Sequence, residues 1–366
     1  MRVAIVHDWL VNKRGAEQIL KVILEIYPQA DIFTLANDPK KTFETFRQKK
    51  VTTSFIQHLP FSGRHFRMYL PLFPKAVESF DLRGYDLVIS VHHCVAKGAK
   101  AGKGARHISY CLTPMRYIWV YEDEYFGRFR KMARPLVRYL KRWDVRTAAN
   151  PDIFLAISNH VRGRVKRCYN KDSEVVFPPV DTGYFLNESP PKRENFYLIV
   201  GELVPYKRTE LAIRAFNAIE RPLVIIGNGP CRGRLKKMAG RNIKFLDWQP
   251  AESLKDYYSR ARALVYPQKE DFGIVAVEAQ AAGCPVIAYK KGGALDTVVD
   301  GVTGVFFEGK TPGFLIEAIR KLDTMRLSHR DIVENAKRFD KEIFKERFIE
   351  AVEGKPVPRE VEYAVR

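Results

Sequence analysis

Glu270-Asp-Phe-Gly-Ile-Val-Ala-Val-Glu278 is the most informative stretch of this 366-residue chain. The apolar run Ala263–Tyr266 before it reads as a strand, Glu270 lies on a short loop, Gly273 frees the backbone, and a helix is predicted from Ile274 to Ala282. The first N–H groups of a helix lack intrahelical partners and stand at the positive end of its dipole, so they favour a phosphate. Glu278 lies one turn in, about 6 Å along the axis at ~1.5 Å per residue, with its side chain leaning back towards the helix start. That placement suits a carboxylate accepting hydrogen bonds from ribose hydroxyls, while Glu270 on the loop is placed to contact a sugar. Two acids near a helix start also simply complement its dipole, so the pair gains meaning from what surrounds it.

Outward from this motif, strands alternate with helices along the whole chain, the signature of parallel sheets covered on both faces. The first half carries predicted strands at Arg2–His7, Asp31–Leu35, Tyr85–Val91, His107–Leu112 and Ile153–Ile157, with helices at Ala16–Ile26, Phe129–Thr147 and Asn159–Tyr169. Pro178-Pro179 and the polar run Asn187–Pro191 interrupt the pattern and read as a linker. Alternation then restarts with strands at Phe196–Val200, Pro222–Ile226, Lys244–Leu246, Ala263–Tyr266 and Val286–Ala288. The expected architecture is α/β: two doubly wound, Rossmann-like domains, 1–188 and 189–344, facing across a cleft. A last helix near 345–366 is expected to return to the first domain.

Composition narrows the function. The apolar fraction of 46% suffices for real cores, which excludes global disorder. No apolar run approaches the roughly 20 residues of a spanning helix, and no signal-peptide pattern precedes the first strand, which predicts a soluble cytoplasmic protein. Five scattered cysteines without a C-x-x-C pair argue against a disulfide framework or a cysteine zinc site. A net charge of +20 seeks polyanions: nucleic acid, anionic lipid or a phosphate-bearing substrate.

Glu270 and Glu278 form an E-x7-E pattern, followed by Ala279-Gln-Ala-Ala-Gly-Cys-Pro-Val-Ile-Ala288, Gly292-Gly293 and Asp300-Gly-Val-Thr-Gly304. Together these resemble the C-terminal core of retaining glycosyltransferase family 4, which has the GT-B fold. Val6-His-Asp-Trp9 and Thr113-Pro-Met-Arg-Tyr117 resemble the subgroup of bacterial mannosyltransferases that build O-antigen and related polysaccharides. The resemblance implies a nucleotide-sugar donor, GDP-mannose in that subgroup, and transfer with retention to a glycan or polyprenyl-diphosphate-linked acceptor.

On that resemblance Glu270 and Lys207 are catalytic, with Lys207 presenting a cation to the donor diphosphate as the glycosidic bond breaks. Phe272, Gly273, Ile274, Glu278 and Arg208 line the donor. The family usually carries an arginine five residues before the lysine; here that residue is Glu202, and Arg208 is the candidate to compensate. No metal or other cofactor is expected, because Lys207 and the helix dipole replace it and the chain has no Asp-x-Asp pair. Gly227-Asn-Gly229 is either a loop supporting the nucleotide or a plain turn.

In the first half, Gly15 opens a helix whose N–H groups suit the donor phosphates. Asp8, at a strand end, either orients and deprotonates an acceptor hydroxyl or satisfies nearby N–H groups. His93 matches a histidine frequent in the mannosyltransferase subgroup. Arg116 either meets an acceptor phosphate or is a buried structural arginine. Leu112 stands where many relatives carry a sugar-contacting histidine. Arg64, Arg67 and Lys75 interleave with Phe61, Phe66, Met68, Tyr69 and Phe73, and a second basic run spans Arg128 to Arg146. Cations beside aromatic side chains suit an anionic membrane, so peripheral binding at the inner face of the cell membrane is expected. Nucleic acid is not expected, since no binding module accompanies the charge. A donor-only epimerase and a catalytically silent scaffold remain open, the latter motivated by Glu202 and Leu112.

Overall fold

The computed structural model describes residues 1–120, 122–187, 189–190 and 192–355, the side chains of Arg64 and Glu124 excepted. It divides into two compact units: Met1–Phe177 together with the chain from Phe344 onward, and Pro178–Ile343.

Among the described residues the first unit has seven parallel strands: β1 (Val3–His7), β2 (Asp31–Thr34), β3 (Val51–Thr53), β4 (Leu87–His92), β5 (Arg106–Cys111), β6 (Ile153–Ala156) and β7 (Glu174–Val175). They lie in the order β3-β2-β1-β4-β5-β6-β7. Every residue of β1 and β4 is buried. Successive side chains of a strand point to opposite faces, so unbroken burial means that both faces are covered. The second unit repeats the design with β8 (Tyr197–Val200), β9 (Leu223–Ile226), β10 (Ile243–Leu246), β11 (Ala263–Tyr266), β12 (Val286–Tyr289) and β13 (Gly304–Phe307). Their order is β10-β9-β8-β11-β12-β13. In each sheet the chain builds outward one way and then reverses, giving a switch point between β1 and β4 and another between β8 and β11. Ligands of open parallel sheets bind outside the carboxyl ends of the strands at such points.

The first division falls at 177/178 rather than 188/189. The segment after Phe177 is bonded into the second unit: Val180 N–H donates to Phe339 at 2.9 Å and Asn187 N–H to Ala281 at 3.3 Å. The polar prolines at Asn187–Pro191 thus follow the boundary instead of forming it. The last described helix is Lys341–Glu353; from Phe344 it belongs to the first unit, where Phe344 and Phe348 meet Tyr110 at 5.7 and 5.8 Å between ring centroids. Residues 356–366, the remainder of the expected helix, lie outside the described residues.

The basic helix Arg130–Thr147 is anchored by a polar knot that the sequence does not announce. Lys97 Nζ lies 2.7 Å from Asp144 Oδ1 with both side chains fully buried. Asp144 Oδ2 accepts from the Trp119 indole at 2.7 Å and the Tyr169 hydroxyl at 2.8 Å. With Val137, Leu140 and Trp143 also buried, the opposite face is left exposed, presenting Lys131, Arg134, Arg138 and Arg142 beside Met132 and Tyr139. Among the apolar side chains expected near Arg67, Phe66 and Phe73 are instead core residues packed on Trp9, while Phe61 and Met68 are exposed. No helix among the described residues is long and apolar enough to cross a membrane.

Candidate active site

At the second switch point, β8 runs into a turn at Pro205–Lys207 and β11 into the loop carrying Glu270. Strand order therefore brings together two residues 63 positions apart in sequence: the Lys207 ammonium forms an ion pair with Glu270 Oε1. Glu270 Oε2 accepts from the Tyr266 hydroxyl. The Glu270 main chain is fixed as well, bridged to Gly292 and accepting from Gly293 N–H at 2.8 Å. A Cβ on Gly293 would fall 2.2 Å from the Phe272 carbonyl oxygen, which explains why glycine stands there.

Gly273 has φ +114°, and its amide chain opens the helix Ile274–Ala281. Ile274 and Glu278 are half-buried on this helix, as the motif requires. Glu278 Oε2 accepts from the Tyr258 hydroxyl at 3.0 Å. Burial pushes the Glu278 carboxyl up to about 7, against the opposing effect of the Tyr258 bond. The Phe272 side chain is buried and its ring meets Phe339 at 5.4 Å between centroids. Arg208 takes a left-handed backbone (φ +53°) and sets its guanidinium over the Tyr289 ring, 4.7 Å from the centroid. The Gly227–Gly229 loop props up the Lys207 segment: Leu203 N–H donates to Asn228 at 2.8 Å, and a Cβ on Gly229 would fall 2.5 Å from Leu203 O.

At the first switch point, Asp8 follows β1, His92 ends β4 and His93 follows it. Asp8 is wholly buried and accepts four amide N–H bonds, from His93, Cys94, Val95 and Ala96, at 2.7, 2.8, 2.8 and 2.9 Å. These bonds match the second of the two readings of Asp8, that it satisfies nearby N–H groups. A carboxylate with both oxygens saturated by main-chain donors is a structural anchor, and its second service is to position His93, whose Nδ1 lies 3.3 Å from Asp8 Oδ2. The imidazole also stands edge-on to Trp9, 4.6 Å between centroids. Burial lowers His93 to about 3, outweighing the raising effect of Asp8, and the Arg116 charge lowers it further. The ring is therefore neutral, with Nδ1 turned towards Asp8. Arg116 opens the helix Arg116–Trp119. Gly15 opens Gly15–Ile26 as expected, but Glu17 of the same helix already accepts from Arg14 N–H at 3.0 Å, so its own carboxylate serves that terminus.

Tyr258, Tyr266 and Trp9 were not among the expected site side chains. A tyrosine in an apolar strand or helix face reads as core filler, and nothing local says where its hydroxyl ends.

A lysine paired with an acid at a strand switch point, a helix start behind a left-handed glycine and a second acid on that helix, in a chain of two parallel α/β units, are the features of a glycosyltransferase of the GT-B type. Residues 29–184 match the family described as Glycosyltransferase Family 4, and residues 185–339 match Glycosyl transferases group 1. The chain belongs to glycosyltransferase family 4. It is 28% identical over 208 residues to an uncharacterized glycosyltransferase of Methanocaldococcus jannaschii, covering 56% of this chain and 58% of that protein. It is 29% identical over 207 residues to a GDP-mannose-dependent alpha-(1-6)-phosphatidylinositol monomannoside mannosyltransferase of Mycolicibacterium smegmatis, covering 48% of this chain and 54% of that one. The matched stretch thus spans little more than half of either relative. The fold is also that of sucrose-phosphate synthase from Thermosynechococcus elongatus, with a TM-score of 0.76, 19% identity, and coverage of 97% and 99% of the two chains.

Proposed function

We propose that this chain transfers a hexose, mannose from GDP-mannose, with retention of anomeric configuration, to a hydroxyl of a glycan or polyprenyl-diphosphate-linked acceptor in cell-surface polysaccharide synthesis. The observation that carries the reading is the Lys207–Glu270 pair at the β8/β11 switch point, one loop from the Gly273 helix start. The diphosphate takes Lys207 from Glu270 and rests on the first helix amides, so negative charge on the leaving group meets a cation and a dipole as the bond breaks. Glu270, released, accepts from hydroxyls of the sugar; Glu278 accepts from the ribose. Lysine and dipole do the work of a metal, so EDTA leaves turnover unchanged. In the first unit, His93 offers Nε2 to the acceptor hydroxyl, and Arg116 supplies a cation for an acceptor phosphate.

The relative that uses GDP-mannose supports the donor. The exposed basic face with Met132 and Tyr139 supports peripheral attachment to an anionic membrane at the cytoplasmic face. Thermal-shift titration with GDP-, UDP- and ADP-sugars tests the donor, since a ligand binding only the folded protein raises its melting temperature. Stabilisation by GDP-mannose, followed by NMR showing an α-product from the α-donor, is the expected result. No stabilisation by any sugar nucleotide refutes the enzyme reading and leaves the scaffold. Sedimentation with anionic but not neutral liposomes is the corresponding result for the membrane.

A further inference from the structure

Each acid of the pair is held by its own tyrosine. Tyr266, the last residue of β11, is 1% exposed and donates its hydroxyl to Glu270 Oε2. Tyr258, on the helix Ala251–Arg260, is 0% exposed and donates to Glu278 Oε2 at 3.0 Å. Neither ring has freedom to wander. Tyr258 meets Phe185 edge-on at 5.8 Å between centroids, and Tyr266 is enclosed with its hydroxyl in the space left by the absent side chain of Gly273. A Cβ at Gly273 would fall 2.6 Å from that hydroxyl. Burial pushes both phenols up, so each keeps its proton and remains a donor.

The two acids differ in what else they hold. Glu270 has Lys207 on its other oxygen, a partner that a diphosphate can remove; Tyr266 is enclosed and stays. A carboxylate that loses one of two charge-assisted partners would otherwise turn freely about its side-chain bonds. We propose that Tyr266 and Tyr258 are positioning residues for donor use, Tyr266 aiming Glu270 at the sugar once Lys207 has turned to the diphosphate, Tyr258 aiming Glu278 at the ribose diol. The inference rests on the sugar-nucleotide reading of the site. It adds a division of labour: one tyrosine acts on the transferred sugar and the other on the nucleotide.

Tyr266→Phe and Tyr258→Phe, each keeping the ring, are compared with Glu270→Gln and Glu278→Gln in the full chain, using GDP-mannose and UDP-glucose for turnover and GDP and UDP for calorimetry. Tyr266→Phe is expected to lower kcat about tenfold with nucleoside diphosphate affinity unchanged. Tyr258→Phe is expected to weaken nucleoside diphosphate and intact donor alike, about five- to tenfold, with kcat at saturation near wild type. The double variant Tyr266→Phe/Glu270→Gln is expected to be no worse than Glu270→Gln, because the tyrosine acts through the acid. Wild-type constants for both Phe variants alongside impaired Gln variants overturn the positioning roles and leave the donor site standing. Wild-type constants for the Gln variants overturn the donor site itself. Should Tyr266→Phe fail to fold, Tyr266→Met fills the same space with a flexible side chain that cannot donate: lower kcat with intact nucleotide affinity supports the role, and unchanged kcat refutes it.

Discussion

Asp8→Asn separates an anchoring carboxylate from a catalytic one. Asp8 divides four main-chain N–H groups evenly, His93 and Cys94 on one oxygen, Val95 and Ala96 on the other. An asparagine keeps one acceptor oxygen and turns an NH2 group towards the remaining pair, which are donors themselves. Two buried amides then lack acceptors, at about 1–3 kcal/mol each, so the unit loses about 2–6 kcal/mol. A domain commands only about 5–15 kcal/mol in total, and at this size each kcal/mol moves Tm by roughly 2–4 °C. The assay is tryptophan fluorescence during heating. Of the chain's four tryptophans, Trp9, Trp119 and Trp143 lie in the first unit and only Trp248 in the second, so the signal reports chiefly the affected unit. The expected outcome is a transition lowered by at least about 4 °C, with nucleotide affinity of the second unit preserved. A variant that melts with the wild type and yet loses turnover by orders of magnitude refutes the anchoring role and returns Asp8 to the chemistry.

Lys97→Met strands the Asp144 charge in the core and is expected to cost about 3–5 kcal/mol in chemical denaturation; a loss under 1 kcal/mol contradicts the buried pair. His107 is buried and lowered to about 4, and burial lowers His92 as well, so both are neutral when folded. Their folded values lie below the unfolded 6.5, so full stability holds above pH 6.5 and declines as pH falls towards 4. His107 alone accounts for about 3 kcal/mol at the low end; since Glu278 opposes it over the same range, the test uses Glu278→Gln, and flat stability of that variant from pH 7 to 4.5 is the refuting result. For Glu278, raised by burial to about 7, nucleotide affinity should climb as pH rises from 6 to 8, when the carboxylate forms. Glu278→Gln should flatten that climb in calorimetry, and an unchanged slope removes Glu278 from the ribose. The same raised value makes ionised Glu278 a stability cost that grows as pH rises from its unfolded range through 7.

The long strands were legible because strands buried on both faces are unbroken apolar runs, as in Val3–His7 and Ala263–Tyr266. β3, β7 and β13 were not: the first two are short and partly exposed, and β13 begins within what reads as a loop motif. There Gly304 is needed because a Cβ would fall 1.9 Å from Val286 O. Phe272 shows a related gap, since its place inside the motif says nothing about which way its ring turns. Strand order is invisible locally, being a matter of long-range pairing. The pairings Asp8–His93 and Lys207–Glu270 were therefore not readable, since they exist only because β1 lies beside β4 and β8 beside β11.

On the proposed function, those two pairings also explain why the second unit carries the movable chemistry. Both switch points hold a carboxylate in donors, but of different kinds. The donors on Asp8 are backbone amides of one tight segment, which no ligand can draw off without unfolding it. Glu270 holds a lysine on a flexible stem and a fixed tyrosine. On the proposed function, an incoming diphosphate competes for the lysine with two negative groups against one, and the acid it leaves behind is already held by Tyr266. An exchangeable partner beside a permanent one is what a group that must change its contacts during a reaction requires, and the first switch point lacks it.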